Sequence, residues 1–441
     1  MEVFTISHQG RYLVYFPFHR RVLLGNAALV DLVRQANVGD ATALERLSEL
    51  ASDKMGSLLG VGGPQPPGGR RRRTQFLPTS VTLLLTEDCT MRCRYCYAAG
   101  GKSRRRMPWK VVTGVIDRLF DNARTLGCNQ VAVTFHGGDM GAVWPLFVEA
   151  REYLRDKECS LGIRVATSVG TNGLLDKAQR CWLTSNIESA TLSLDGPPKI
   201  QDLYRRTPDG QPTSNVVMET VAHFDAVEFS YGIRSTITAA TVASMEHIAR
   251  YLCSNTRARN IQMEPVYPHG RAGGGEVVAP GAEEFVENFR KAQRVASSCG
   301  RKLIYSGARL DVLTDVFCKA CGDSCVVTPL GELTSCYEVA NAEDPRAETF
   351  FFGRYDEATH NLVVDEARRE NLFALAVTGR PQCQDCFCKW HCAGDCPAKV
   401  LMAEGAGPNE VLDRCTVNRE LTKDQLLASL ASSALATPPA Q

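Results

Sequence analysis

From residue 78 to about 267 the hydrophobic pattern switches repeatedly between two periods. Apolar runs of strand length at 81–85, 130–135, 165–171, 190–194, 232–237 and 261–266 alternate with longer stretches whose apolar positions recur at helical spacing. In 109–123, Val112, Val115, Ile116, Leu119 and Phe120 share one face; 144–154, 175–184, 215–224 and 242–252 fill the remaining intervals. Six such repeats predict an α/β fold, a parallel sheet with its helices outside. Alternation alone fits an open doubly wound sheet as well as a barrel. In either, chemistry belongs at the C-terminal ends of the strands.

Outside this region the pattern changes. Residues 4–6 and 12–16 read as short strands joined near Gln9-Gly10, with helices over 27–33 and 41–52, so residues 1–60 predict a small α+β N-terminal domain. A hairpin followed by short helices fits a plain cap and resembles a winged-helix peptide-recognition module equally. Residues 61–77 read as a Gly/Pro/Arg linker. Arg70 to Arg73 there form a solvated charge run or a grip for an acidic segment. The β/α core is expected over 78–310, a cysteine-rich domain over 311–421, and a tail, disordered from about residue 430, over 422–441.

The chain has 441 residues, a net charge of +1 and 44% hydrophobic residues. This balance carries no basic footprint for nucleic acid. No apolar stretch reaches the roughly 18 residues of a membrane span, and the first residues lack the pattern of a secretory signal. The expected compartment is therefore cytoplasmic, where clustered cysteines bind metal more often than they form disulfides. Of 18 cysteines, three fall within 89–96 and ten within 318–415. Cys128, Cys159, Cys181, Cys253 and Cys299 are isolated and read as small buried hydrophobes.

Cys89, Cys93 and Cys96 form Cys-x3-Cys-x2-Cys directly after the first strand. Three thiolates can hold three irons of a four-iron cluster and leave the fourth iron open. A zinc knuckle is the structural alternative. The spacing, with Tyr95 before the third cysteine, resembles the radical S-adenosylmethionine (SAM) superfamily. That resemblance implies a partial (β/α)6 barrel, SAM chelated to the open iron, and its one-electron cleavage to a 5′-deoxyadenosyl radical. Further segments match in register. Phe135-His136-Gly137-Gly138-Asp139 resembles the family's Gly-Gly-Glu loop, with Asp139 in place of Glu. Gly170-Thr171-Asn172-Gly173 and Ser193-Leu194-Asp195-Gly196 close the third and fourth strands. The resemblance implies that Tyr95, Gly137, Gly138, Asp139 and Ser193 line the SAM site, and that Arg205 pairs with the SAM carboxylate. For Ser193 and Asp195 ordinary turn chemistry is the competing reading, and for Arg205 a surface helix charge; His136 stands beside them as an open candidate.

The second group is Cys383-x2-Cys386-x5-Cys392-x3-Cys396 followed by Cys415; upstream lie Gly331-x4-Cys336, Cys318 and Cys321. Isolated, such pairs would suit structural zinc. Behind the first motif they resemble the SPASM extension, which carries two auxiliary four-iron clusters. The resemblance assigns Cys383, Cys386, Cys392 and Cys415 to one cluster and Cys318, Cys321, Cys336 and Cys396 to the other. Cys325 is a possible replacement for Cys321, and Cys388 is spare. The implied enzyme has three [4Fe-4S] clusters and SAM as cofactors, and an external reductant such as flavodoxin or ferredoxin. Its expected substrate is a peptide or protein, typically a ribosomally made precursor, modified oxidatively. The alternatives are a haem- or quinone-cofactor pathway enzyme, or a redox-neutral epimerase with Cys388 as hydrogen donor. Cys388 and Asp195 are the candidate catalytic residues.

Overall fold

A computed structural model describes residues 2–50, 67, 75–403 and 413–435. Most of the expected 61–77 linker, including Arg70–Arg73, and the last six residues lie outside them.

Seven parallel strands form the centre: β4 (Ser80–Leu84), β5 (Gln130–His136), β6 (Arg164–Thr171), β7 (Ser189–Ser193), β8 (Ser230–Ile237), β9 (Asn260–Pro265) and β10 (Lys302–Ile304). They lie side by side in chain order. A doubly wound sheet reverses its strand order at a switch point. Here there is none, so right-handed crossovers put every helix on one face, as in a partial barrel. The sixth strand is followed by β10, which the apolar pattern missed because only three residues pair.

The strands sort their side chains by face. Val131, Val133 and Phe135 of β5 are buried against the helices Trp109–Thr125 and Trp144–Leu161, with Phe135 edge-on to Phe147 at 4.9 Å between centroids. Each such buried side chain contributes roughly 1.5–3 kcal/mol. On the other face of β5 to β9 stand Thr134, His136, Ser168, Gly170, Ser193, Arg234, Thr236 and Glu264, most of them half-buried. Thr134 and Ser168 hydrogen-bond at 2.9 Å, and Thr191 remains exposed. The helix-free face is thus polar and open near the strand ends.

The C-terminal region extends the same sheet. β11 (Val326–Val327) adds parallel to β4, and β12 (Glu332–Thr334), β13 (Phe351–Asp356) and β14 (Asn361–Val364) continue antiparallel. The last helix, Arg414–Leu435, contradicts the expected disorder from about residue 430 as far as residue 435. Its apolar positions Val417, Leu421 and Leu426 are buried, and Arg290 clamps it through Asp424 (2.7 Å) and Glu420 (2.8 Å).

The N-terminal segment has three strands, not two: β1 (Phe4–His8), β2 (Arg11–Phe16) and β3 (Arg21–Gly25). Gln9 and Gly10 both have positive φ, as a two-residue hairpin turn requires. One face carries the helices Ala27–Asn37 and Ala41–Leu50; the other packs Phe4, Ile6, Leu13 and Tyr15 on Val377, Trp390 and Leu426. Tyr15 hydroxyl meets His391 Nε2, while His391 Nδ1 holds Val312 O at 2.7 Å.

Candidate functional site

The three cysteines of the first motif occupy the loop after β4. Thr86 opens it, donating from Oγ1 to Arg105 O and accepting from Asp88 N; Asp88 then accepts from Cys89 N at 2.8 Å. Arg271 closes it, donating to Cys93 O (2.7 Å) and Gly100 O (3.1 Å). Cys93 is buried, while Cys89 and Cys96 are half-buried. Burial pushes the Cys89 thiol up to about 12, with Asp139 adding to it, and the Cys93 thiol up to about 11. Thiols so raised hold their protons until a metal displaces them.

The Gly-Gly-Asp loop after β5 lies directly on this segment. Gly138 N donates to Thr86 O and Asp139 N to Asp88 O. A β-carbon at Gly138 would fall 1.8 Å from Asp88 O, so only glycine permits the approach. Asp139 is buried and its carboxylate is fully engaged. It accepts from Gly141 N and Asn172 N, both at 2.8 Å, and from Thr171 Oγ1 at 3.2 Å. Burial raises its pKa even so. Asp139 therefore ties the Thr-Asn-Gly loop to the Gly-Gly loop through its side chain.

Asn172, quoted in its motif but not singled out from the sequence, is the residue this tie delivers. Its Nδ2 donates to Thr90 Oγ1 at 2.9 Å and lies 3.6 Å from Cys89 Sγ. The signal was present in the Thr-Asn-Gly string; the contact to Cys89 is tertiary.

Ser193 ends β7 in register with Arg234 of β8. Just beyond, Asp195 is fully buried. It accepts from Arg205 Nε at 3.2 Å, from Thr236 N at 3.0 Å and from the Tyr95 hydroxyl. Arg205 also donates from Nη1 to Cys93 Sγ at 3.7 Å and stacks over the Tyr95 ring. Asp195 thus orients Arg205 and Tyr95, and its carboxylate is occupied by them.

The C-terminal cysteines divide into two sets. Cys336 is pushed up by burial and by Cys396 and Cys318, and Cys321 reaches about 12 through burial and Cys318. In the second set Cys392 lies within electrostatic reach of Cys415 and Cys386, Cys383 of Cys386, and Cys415 of Cys383, while a hydrogen bond from Cys388 brings the Cys386 thiol down to about 6. Cys325 sits in the apolar core behind β4, where Thr82 N donates to its carbonyl, and burial alone raises its thiol to about 12. Cys388 is buried against the last helix and donates to Asn418 O at 3.7 Å. All the cysteines are free. Among the described residues no three His, Cys, Asp or Glu side chains converge as one metal ion would require. A four-iron cube spreads its thiolates wider, and the donor sets, all thiols and each with at least one buried member, suit it.

A cavity of about 700 Å³ lies elsewhere, between the N-terminal sheet, β10 and the last helix, and none of these candidate residues lines it.

No family model matches the chain. It is 24% identical over 325 residues to a serine-type anaerobic sulfatase-maturating enzyme of Klebsiella aerogenes, covering 71% of this chain and 78% of that protein. A cysteine-type anaerobic sulfatase-maturating enzyme of Clostridium perfringens is 24% identical over 173 residues, 38% of this chain and 46% of that one. Among solved structures, anSMEcpe with bound AdoMet superposes with a TM-score of 0.62 at 17% identity, over 81% of this chain and 96% of that one. Streptococcus suis SuiB bound to precursor peptide SuiA superposes with a TM-score of 0.52 at 12% identity, over 93% of this chain and 97% of that one.

Proposed function

We propose that this chain, a radical SAM enzyme with a C-terminal SPASM extension, oxidatively modifies a residue within a peptide or protein. The observation that carries the reading is the packing of the Cys89/Cys93/Cys96 loop on Gly137-Gly138 and Arg205 at the C-terminal ends of one singly wound sheet. Cys89, Cys93 and Cys96 would hold the first cluster. Cys318, Cys321, Cys336 and Cys396 would hold a second, and Cys383, Cys386, Cys392 and Cys415 a third. Cys321 is preferred to Cys325 because its thiol stands with Cys318. When bound, the first cluster and SAM supply one-electron SAM cleavage and hydrogen abstraction.

The chain's own residues bind and orient. Gly137 and Gly138 let their backbone close on the cysteine loop where it would meet the methionyl amino group, Ser193 stands at the strand end for the ribose or methionine, and Arg205 is held ready beside Cys93 by Asp195 and Tyr95. The names of the relatives favour a serine or cysteine side chain as the group oxidised. The precursor peptide bound to SuiB favours a ribosomally made peptide as its carrier. An external one-electron reductant of the flavodoxin or ferredoxin kind and a cytoplasmic setting complete the reading. No helix among the described residues is long and apolar enough to cross a membrane.

Anaerobic reconstitution tests it. Roughly twelve irons and twelve sulfides per chain are expected, four of each per cluster. Replacing Cys89, Cys93 and Cys96 together with alanine should leave about eight irons and abolish 5′-deoxyadenosine formation under dithionite. Persistent SAM cleavage in that variant would falsify the assignment.

A further inference from the structure

At the open end of the polar sheet face stand two side chains that the cofactor site does not use. His136 closes β5 one residue before the glycine pair. Its Nδ1 accepts from Gly137 N at 2.8 Å, which places the ring proton on Nε2. Burial and the neighbouring Arg234 lower its pKa to about 4, so the ring is neutral near pH 7. Nε2 has no hydrogen-bond partner among the described residues. Gly170 makes space for it, since a β-carbon there would fall 2.8 Å from His136 Cδ2.

Arg234 is the second. It lies on β8 between Ser193 and Gln262 in strand register. Its side chain makes no hydrogen bond or ion pair among the described residues. Glu264 and Glu338 face it from β9 and from the loop after β12, and Tyr97 and Tyr337 also lie within electrostatic reach. Glu264 accepts from Ser306 N at 2.7 Å and Gln262 at 2.9 Å, both at Oε1, while its buried Oε2 has no hydrogen-bond partner among the described residues. The Tyr337 ring rests against His136 at 5.2 Å between centroids while the residue stays 42% exposed, so it forms the lip of the opening.

A neutral imidazole N–H and a guanidinium can only donate, so their ligand must accept. Glu264, shared with Lys399 and Arg414, and Glu338 offset part of the charge on Arg234, which favours a neutral acceptor over another anion. We infer that His136 Nε2 and the Arg234 guanidinium bind an uncharged peptide-bond carbonyl of the substrate, beneath Tyr337 and beside the cysteine loop. The site would hold the backbone next to the attacked residue whatever its side-chain neighbours, between Ser193 on one side and the C-terminal cysteine region on the other. The inference rests on the peptide-modifier reading.

Binding of two capped tripeptides, N-acetyl-Ala-Ser-Ala-amide and N-acetyl-Ala-Cys-Ala-amide, to the reconstituted holoenzyme with SAM tests it. Each is compared with its thioamide analogue, whose sulfur is a poorer acceptor. Wild type should bind the oxo-peptides at least about tenfold more tightly than the thioamides, as for a hydrogen bond to a charged donor. Arg234→Met should lose most of that preference, Arg234→Lys should keep part of it, and His136→Gln should reduce it about threefold, a non-additivity that assigns the contact to these side chains. Equal oxo/thio preference in wild type and Arg234→Met, or no saturable binding of either tripeptide by wild type, overturns the inference. Wild-type SAM cleavage, measured in parallel, separates this from failure of the radical SAM reading.

Discussion

The Arg205 guanidinium donates from Nε to the Asp195 carboxylate at 3.2 Å and from Nη1 to Cys93 Sγ at 3.7 Å. Both residues of this ion pair are almost entirely buried, with side-chain exposures of 8% and 0%. Burying two charges is costly, but removing one partner costs more, because the other stays buried and uncompensated. Asp195→Ala should therefore destabilise the chain by about 3–5 kcal/mol and loosen Arg205 and Tyr95 together. Asp195→Asn, which keeps an acceptor for Thr236 N, should cost less. Denaturant unfolding of both variants checks the order. Equal stability of Asp195→Ala and wild type would show that Arg205 finds another partner.

The approach of Gly138 to Asp88 O makes a second expectation. An alanine there would put its β-carbon 1.8 Å from the Asp88 carbonyl oxygen, a backbone clash that no side-chain rotation relieves. Gly138→Ala should push the cysteine loop away from the strand end, lowering SAM affinity at least tenfold while leaving the C-terminal sets intact. Calorimetry with SAM, alongside iron counting, reads this. Retained affinity would mean that the loop is free to shift.

Most of this architecture is legible in the sequence because it is local. The six central strands fall within two residues of their expected bounds, since each carries one helix-facing apolar set and the intervening helices keep a 3.6-residue period. β10 escaped because a three-residue edge strand carries too few apolar positions to show a period, and β3 because Val22, Leu23 and Leu24 run together without alternation. The helix to residue 435 escaped because its Ala/Ser-rich end reads as low complexity, although Leu426 is buried by tertiary contacts. The cysteine motifs stand out from spacing alone. What Asp139 and Asp195 do with their carboxylates does not, because each is held in part by residues 32 to 100 positions away.

His136 gives the pH dependence its sign. Its folded pKa is about 4 against an ordinary 6.5, set by burial and then by Arg234. Between these values the unfolded chain binds a proton that the folded chain refuses. Stability contributed by this residue is therefore full above about pH 6.5 and falls as pH drops towards 4, at no more than about 1.4 kcal/mol per pH unit for one proton. Thermal or denaturant unfolding from pH 4 to 7 should show His136→Gln less acid-sensitive than wild type. An unchanged slope would place the ring in contact with water.

The last helix supplies the final expectation, through Asn418. Its Nδ2 donates to Cys392 Sγ at 3.1 Å, its carbonyl accepts from the Cys388 thiol at 3.7 Å, and both contacts are buried. Gly307 opens the space, since a β-carbon there would fall 1.9 Å from Asn418 Oδ1. An N–H donated to a ligand sulfur stabilises the more negative, reduced state of a cluster and raises its potential. Asn418→Leu should therefore lower the potential of the cluster proposed at Cys383, Cys386, Cys392 and Cys415. The expected fall is on the order of 60 mV, a tenfold change for a one-electron couple. Cys388→Ala removes the thiol that packs on the Asn418 carbonyl and also hydrogen-bonds Cys386 and Thr422, and as a non-ligand it should keep both iron content and product formation. Redox titration followed by electron paramagnetic resonance reads the first variant, and iron analysis with turnover reads the second. A loss of about four irons in Cys388→Ala would put Cys388 in the ligand set. Full iron with turnover stalled at 5′-deoxyadenosine would make it the hydrogen donor of an epimerase.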